Sequence, residues 1–226
     1  MTGVSADGRS LTRHGEDRKA ELLEHAELLF MERGYEETRM IDIAEAAGVA
    51  KGLVYWYFEN KAALFREIVL DMRQRLRRTQ AKAIAGIDDP LEALYVGTEV
   101  SVRFIAEHHR LYGMISQQTR ADRRLRKAQV ESRRLQADDA AALLAEGQDR
   151  GVVRIDDDPV VLAYANSGVV SHFVLLYSDA LYSRDGRPIE IDEAAHGAAR
   201  YVVRAVAADA EAAEAVIARQ LRVPLT

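Results

Sequence analysis

Cysteine is absent from the sequence, and with it go disulfides, iron–sulfur ligation and thiol nucleophiles. That absence suits a reducing compartment, so a cytoplasmic location is expected. Proline occurs only four times in 226 residues. Strand-like alternation is equally scarce, so the fold class predicted is all-α. Positive charge is not in excess either: the net charge is −5. Any nucleic-acid surface must therefore be locally basic on an acidic protein. Residues 1–15 contain no apolar stretch and so cannot serve as a signal peptide. They are predicted to be a disordered arm.

One long uncharged run stands out. From Pro159 to Ser178 there are 20 positions without Asp, Glu, Lys or Arg. That is near the length of a membrane span. Asn166, Ser167, Ser171 and His172 lie at its centre, and Asp156, Asp157 and Asp158 precede it. A helix buried on several sides is the better reading, and no membrane partner is expected.

Apolar spacing predicts helices along the whole chain. Leu22, Leu23, Ala26, Leu29 and Phe30 form a stripe over 17–33, closed by Gly34. Leu64, Ile68, Met72 and Leu76, each four apart, form another over 61–79. It ends in the basic run "RQRLRR", read as a solvated helix end. "GIDDP" at 86–90 is the best domain boundary. Beyond it helices are expected at 91–108, 109–117, 122–148, 160–182 and 192–209. The last region, running on into "AADAEAAEAVIA", is rich in alanine.

Between the first two stripes the pattern shortens. A short helix at 40–47, a turn at Gly48-Val49-Ala50 and a second short helix at 51–57 make a helix-turn-helix. The second helix carries Tyr55, Trp56, Tyr57 and, just after it, Phe58. Four consecutive aromatics cannot share one face of a helix. Val54 and Phe58, four apart, claim the inner face. Gly52 and Trp56 then point outward, with Tyr55 and Tyr57 on the flanks. Burial beneath the helix is the competing reading for Trp56 and more so for Tyr57. Lys51 and Lys61 add cations where backbone amides also favour an anion. Aromatic hydroxyls, lysines and helix N-termini are the groups that position DNA phosphates.

"GYEETRMIDIAEAAGVAKGLVYWYFENKAALF", residues 34–65, resembles the DNA-binding domain of the TetR family of transcriptional regulators. The resemblance rests on Gly34-Tyr35, Thr38, Ile43-Ala44, Ala47-Gly48-Val49, Lys51-Gly52, Tyr55, Tyr57-Phe58, Lys61 and Leu64-Phe65. It spans about residues 16–65. It implies a homodimer whose helix 51–57 enters the major groove of an operator and which a small ligand releases. It also implies an N-terminal three-helix DNA-binding domain followed by a helical ligand-binding and dimerisation domain. The expected division is arm 1–15, DNA-binding domain 16–60, linking helix 61–86 and body 87–226. Helix 61–79 is the expected lever. Arg39 and Met40 depart from the family pattern, which commonly has a small hydroxyl residue there. Leu53 replaces a commonly polar position and suits a thymine methyl.

The expected DNA-contacting residues are Arg39, Lys51, Gly52, Leu53, Tyr55, Trp56, Tyr57 and Lys61. Lys61 and Tyr57 are assigned to phosphates. For the body the resemblance places a pocket among the helices. Phe104, Tyr112, Met114, Gln117, Gln118, Tyr164, Asn166, Ser167, His172 and Tyr177 are its candidate lining. Helices 160–182 and 192–209 are the candidate dimer surface, the latter through Ala195, Ala198, Ala199, Val202, Val203 and Val206. Burial within one chain is the competing reading. His108 and His109 diverge by about 100° on a helix and do not make a metal site. No cofactor and no catalytic residue is expected. A helical enzyme is the alternative, unsupported by any nucleophile motif, phosphate loop or ligand cluster. A ligand-insensitive DNA-organising protein is a third reading, and it predicts a filled body.

Overall fold

A computed structural model describes residues 12–177 and 182–221, with the backbone alone for Ala121 and residues 173–177. The described residues form ten α-helices: α1 (Arg13–Arg33), α2 (Met40–Ala46), α3 (Lys51–Tyr57), α4 (Lys61–Ile84), α5 (Pro90–Glu107), α6 (His109–Ala121), α7 (Arg123–Asp149), α8 (Pro159–Tyr177), α9 (Ile191–Val206) and α10 (Ala210–Gln220). None of these is long and apolar enough to cross a membrane.

The helices gather into two compact units. One takes the described part of Met1–Arg73 together with Arg110–Ala128, the other Gln74–His109 with the described residues from Gln129 onward. Residues 110–128 thus pack with the head, whereas the sequence places them in the body. α4 and α7 each contribute residues to both units.

In the first unit, α1 begins four residues earlier than its stripe predicts. The Thr12 hydroxyl accepts from the Gly15 N–H at 3.3 Å and caps it. Residues 13–15, expected in the arm, are therefore helical, and 1–11 lie outside the described residues. Leu22, Ala26 and Phe30 of α1 are fully buried with Ile43, Val54, Leu64 and Phe65. Phe30 and Phe65 meet edge-on at 5.5 Å, and Tyr35 packs on Phe65 at 4.9 Å. Asp122 starts α7: its carboxylate accepts from the N–H of Arg124 at 2.7 Å and of Leu125 at 3.1 Å. Its other oxygen takes the Arg66 guanidinium of α4 at 3.1 Å.

In the second unit, α9 lies along α5, with α8 and α10 packed against it. Ala195, Ala198, Ala199, Val202, Val203 and Val206 are all at most 1% exposed. The face read as a dimer surface is therefore the core of one chain. Small residues there let α9 approach α5 closely, which is the competing reading realised. The predicted helix 192–209 ends at Val206, because the chain then turns extended. Arg154 N–H donates to Val206 O and Ala208 N–H to Val152 O, both at 2.9 Å. Asp209 accepts from the Ala212 N–H at 2.8 Å and starts α10, which the alanine-rich run concealed. Among its described side chains, α8 is not buried on several sides either. Leu162 and Ala163 face inward, while Val161 is 60% and Tyr164 49% exposed.

Candidate nucleic-acid interface

α2 ends at Ala46 and the chain reverses through Gly48, whose φ of 64° lies in the left-handed region. A side chain there is strained, so glycine sets the angle between α2 and α3. α3 then separates its faces as the period dictates. Val54 and Phe58 are buried, while Lys51, Gly52, Tyr55 and Trp56 are exposed. Leu53 is half-buried. The Lys51 ammonium lies 5.6 Å over the Tyr55 ring, which aims cation and phenol from one patch. A Cβ on Gly52 would meet nothing within 4 Å, so that part of the surface is open.

Two of the expected contacts are placed differently. Tyr57 is 6% exposed and turns inward, its ring edge-on to Trp56 at 4.7 Å. It supports the exposed indole from beneath. The Lys61 ammonium donates to Tyr35 O at 2.6 Å and Glu36 O at 3.0 Å, and lies 4.4 Å over the Tyr35 ring. It clasps the α1–α2 turn to the start of α4 and is not a free cation. Arg39 is exposed, but its guanidinium lies on Asp42, with Nη2–Oδ1 at 2.8 Å. Asp42 Oδ2 accepts from the Arg39 N–H at 2.8 Å, so the pair closes the first turn of α2. Hydrogen bonds from the Arg39 side chain and backbone hold the Asp42 carboxyl below the usual carboxylate range. Met40 is core. Thr38 is fully buried and donates to Gly34 O at 2.8 Å, a structural role its place in the motif did not reveal.

The match to the family of bacterial regulatory proteins known as tetR covers residues 22–68, which is α1 from Leu22 through the first turns of α4. That match ties the helix-turn-helix segment, and not the rest of the chain, to the TetR family. Over 90 residues the chain is 37% identical to an Escherichia coli (strain K12) protein named for repression of the acrEF/envCD operon. That match covers 39% of this chain and 41% of the relative, so the chain spans about two fifths of the length of such relatives. Likeness in fold reaches further. The TetR-family regulator PfmR of Thermus thermophilus superposes with a TM-score of 0.63 at 26% identity, over 81% of this chain and 97% of that one. A Saccharomonospora viridis protein in complex with choline gives 0.71 at 18% identity, over 85% and 98%. At that identity the second shows fold alone.

The ten residues expected around a ligand are divided between the two compact units. Tyr112, Met114, Gln117 and Gln118 of α6 belong to the first unit, where Gln118 Nε2 comes within 3.5 Å of Glu36 Oε1 and Gln117 is exposed. In the second unit Phe104 stacks on His108 at 4.3 Å. Tyr164 and His172 are exposed on α8. Ser167 and Asn166 are half-buried, and the Asn166 amide nitrogen is buried with no hydrogen-bond partner. The Tyr177 side chain lies outside the described residues. His108 and His109 each bond a backbone carbonyl, Phe104 O at 2.7 Å and Ala106 O at 2.9 Å.

Proposed function

We propose that this chain is a TetR-family homodimeric transcriptional repressor that binds an inverted-repeat operator through α3 and is released by a small molecule. The observation that carries the reading is the two-faced α3. Val54 and Phe58 anchor it, and Lys51, Gly52, Leu53, Tyr55 and Trp56 are left on the outer side. A cation, an open glycine and two aromatics on one short helix suit the major groove, with phosphate contacts setting the register.

Dimerisation belongs to the outer faces of α8 and α9. Val161, Tyr164, Gly168 and His172 recur at three and four residues along α8, and all four are exposed. On α9, Gly197, Arg200, Tyr201, Arg204 and Ala205 line an open groove of about 440 Å³, and Tyr201 is 62% exposed. Two such helix pairs suit a four-helix interface. For the effector, Asn166 is a candidate with a demand of its own. A buried donor without an acceptor costs about 1–3 kcal/mol, which a ligand oxygen would remove. A partly apolar molecule with a hydrogen-bond acceptor fits best. An effector coupling of about 1–3 kcal/mol weakens DNA binding roughly 5- to 150-fold. α4 is the element to carry it, being one unbroken helix with residues in both units.

The test is a mobility-shift screen of the purified protein against DNA flanking its own gene. A retarded fragment containing an inverted repeat is expected. Failure to retard any fragment more than bulk DNA ends the reading.

A further inference from the structure

The first turns of α7 carry a charge pattern that local structure does not need. "RRLRK", residues 123–127, holds four cations in five positions. Arg123, Arg124, Arg126 and Lys127 are all exposed, and none has a side-chain partner among the described residues. Several exposed arginines elsewhere are matched: Arg77 with Asp139, Arg150 with Asp88, Arg187 with Glu193 and Arg204 with Glu214. Cations at a helix N-terminus also oppose the macrodipole. Like charges three and four apart, as 124/127 and 123/127 are, repel one another. The cluster weakens the helix it sits on, and Leu125 alone among the five is buried.

Its position is fixed by the head. Asp122 Oδ2 holds Arg66 of α4 at 3.1 Å, and Gln118 lies within 3.5 Å of the Glu36 side chain. The Glu36 carbonyl also takes the Lys61 ammonium at 3.0 Å, where α4 begins just after α3. Residues 123–127 therefore belong to the same compact unit as the helix-turn-helix and are tied to its α1–α2 turn.

We propose that Arg123, Arg124, Arg126 and Lys127 form a second DNA-phosphate contact, separate from the recognition helix and indifferent to sequence. The inference rests on the DNA-binding reading and extends it to α7. Unpaired, exposed cations on the head of an acidic protein suit a polyanion, and releasing its counterions drives the association.

The experiment uses the full chain and a labelled duplex of random sequence, with affinity measured across a salt series. Each phosphate-contacting cation adds about 0.9 to the slope of log affinity against log salt. Arg123→Gln/Lys127→Gln is expected to flatten the slope by up to about 1.8 while melting no lower than the wild type. Arg123→Lys, which keeps the charge, is expected to retain the wild-type slope. Lys51→Ala on α3 is the comparison. A slope flattened by Lys51→Ala but not by the α7 double variant overturns this proposal and leaves the DNA-binding reading standing. No binding of the wild type to any duplex overturns both. Loss of binding to phosphatidylglycerol vesicles by the double variant, with an unchanged DNA slope, assigns the cations to a lipid surface and also overturns it.

Discussion

Trp56 and Lys61 show how much one side chain's direction decides. Trp56 is 39% exposed and rests on Tyr57, so removing it leaves the core beneath intact. Trp56→Ala is expected to change stability by no more than about half a kcal/mol yet to weaken operator binding. Thermal melting and a mobility shift check the two halves. A large loss of melting temperature with unchanged binding would place the indole in the core. Lys61 carries the opposite expectation. Its ammonium bonds two carbonyls and covers the Tyr35 ring, so Lys61→Ala leaves two acceptors short of a charged donor. A loss of about 1.5–3 kcal/mol in denaturant unfolding is expected, with the salt slope of DNA binding unaltered. A flattened slope at wild-type stability would return Lys61 to the phosphate backbone. The lysine was legible in the sequence, but its partner turn, about 25 residues away, was not.

At the scale of elements, the weak points are joints. Asp122 both caps α7 and holds Arg66. Partial burial pushes its carboxyl up, but the N–H groups of Leu125 and Arg124 and the Arg66 guanidinium outweigh that and leave it below the usual range. A depressed carboxyl contributes its stability fully above the unfolded value, near pH 4, and loses it as pH falls through the folded value. Asp122→Asn is expected to cost about 1 kcal/mol at neutral pH and to lose its difference from wild type in acid. Urea titrations at several pH values test this, and a difference that grows on acidification would contradict it. Gly147 is a second joint. A Cβ there would stand 2.4 Å from Val153 Cγ2, where α7 meets the segment paired with Ala207. Gly147→Ala is expected to destabilise by about 1–3 kcal/mol, through the valine it displaces. Wild-type melting of that variant would show that Val153 has room to turn.

For the whole molecule, the buried and exposed faces of α9 separate folding from assembly. Ala199 is fully buried within one chain. Ala199→Glu is therefore expected to unfold the body, because it buries an unpaired charge. Tyr201→Glu and Gly168→Glu, on the outer faces of α9 and α8, are expected instead to give folded monomers with lost operator affinity. Sedimentation with circular dichroism distinguishes the outcomes. A folded dimer of both outer-face variants would move the interface elsewhere.

Local chemistry was enough to read the helices and the head motif from the sequence. Stripes at four-residue spacing, Gly48 at the turn, and Val54 with Phe58 opposite Trp56 each depend on neighbours within a few positions. The α9 stripe was equally legible, but periodicity marks a face as apolar without saying what covers it. Only the tertiary structure gave that face to α5, turned Lys61 onto the Tyr35 carbonyl, and docked residues 110–128 with the head. The reason is range. A helix forms from contacts three and four residues apart, whereas Arg66 and Asp122 are 56 residues apart and meet only when the chain has folded.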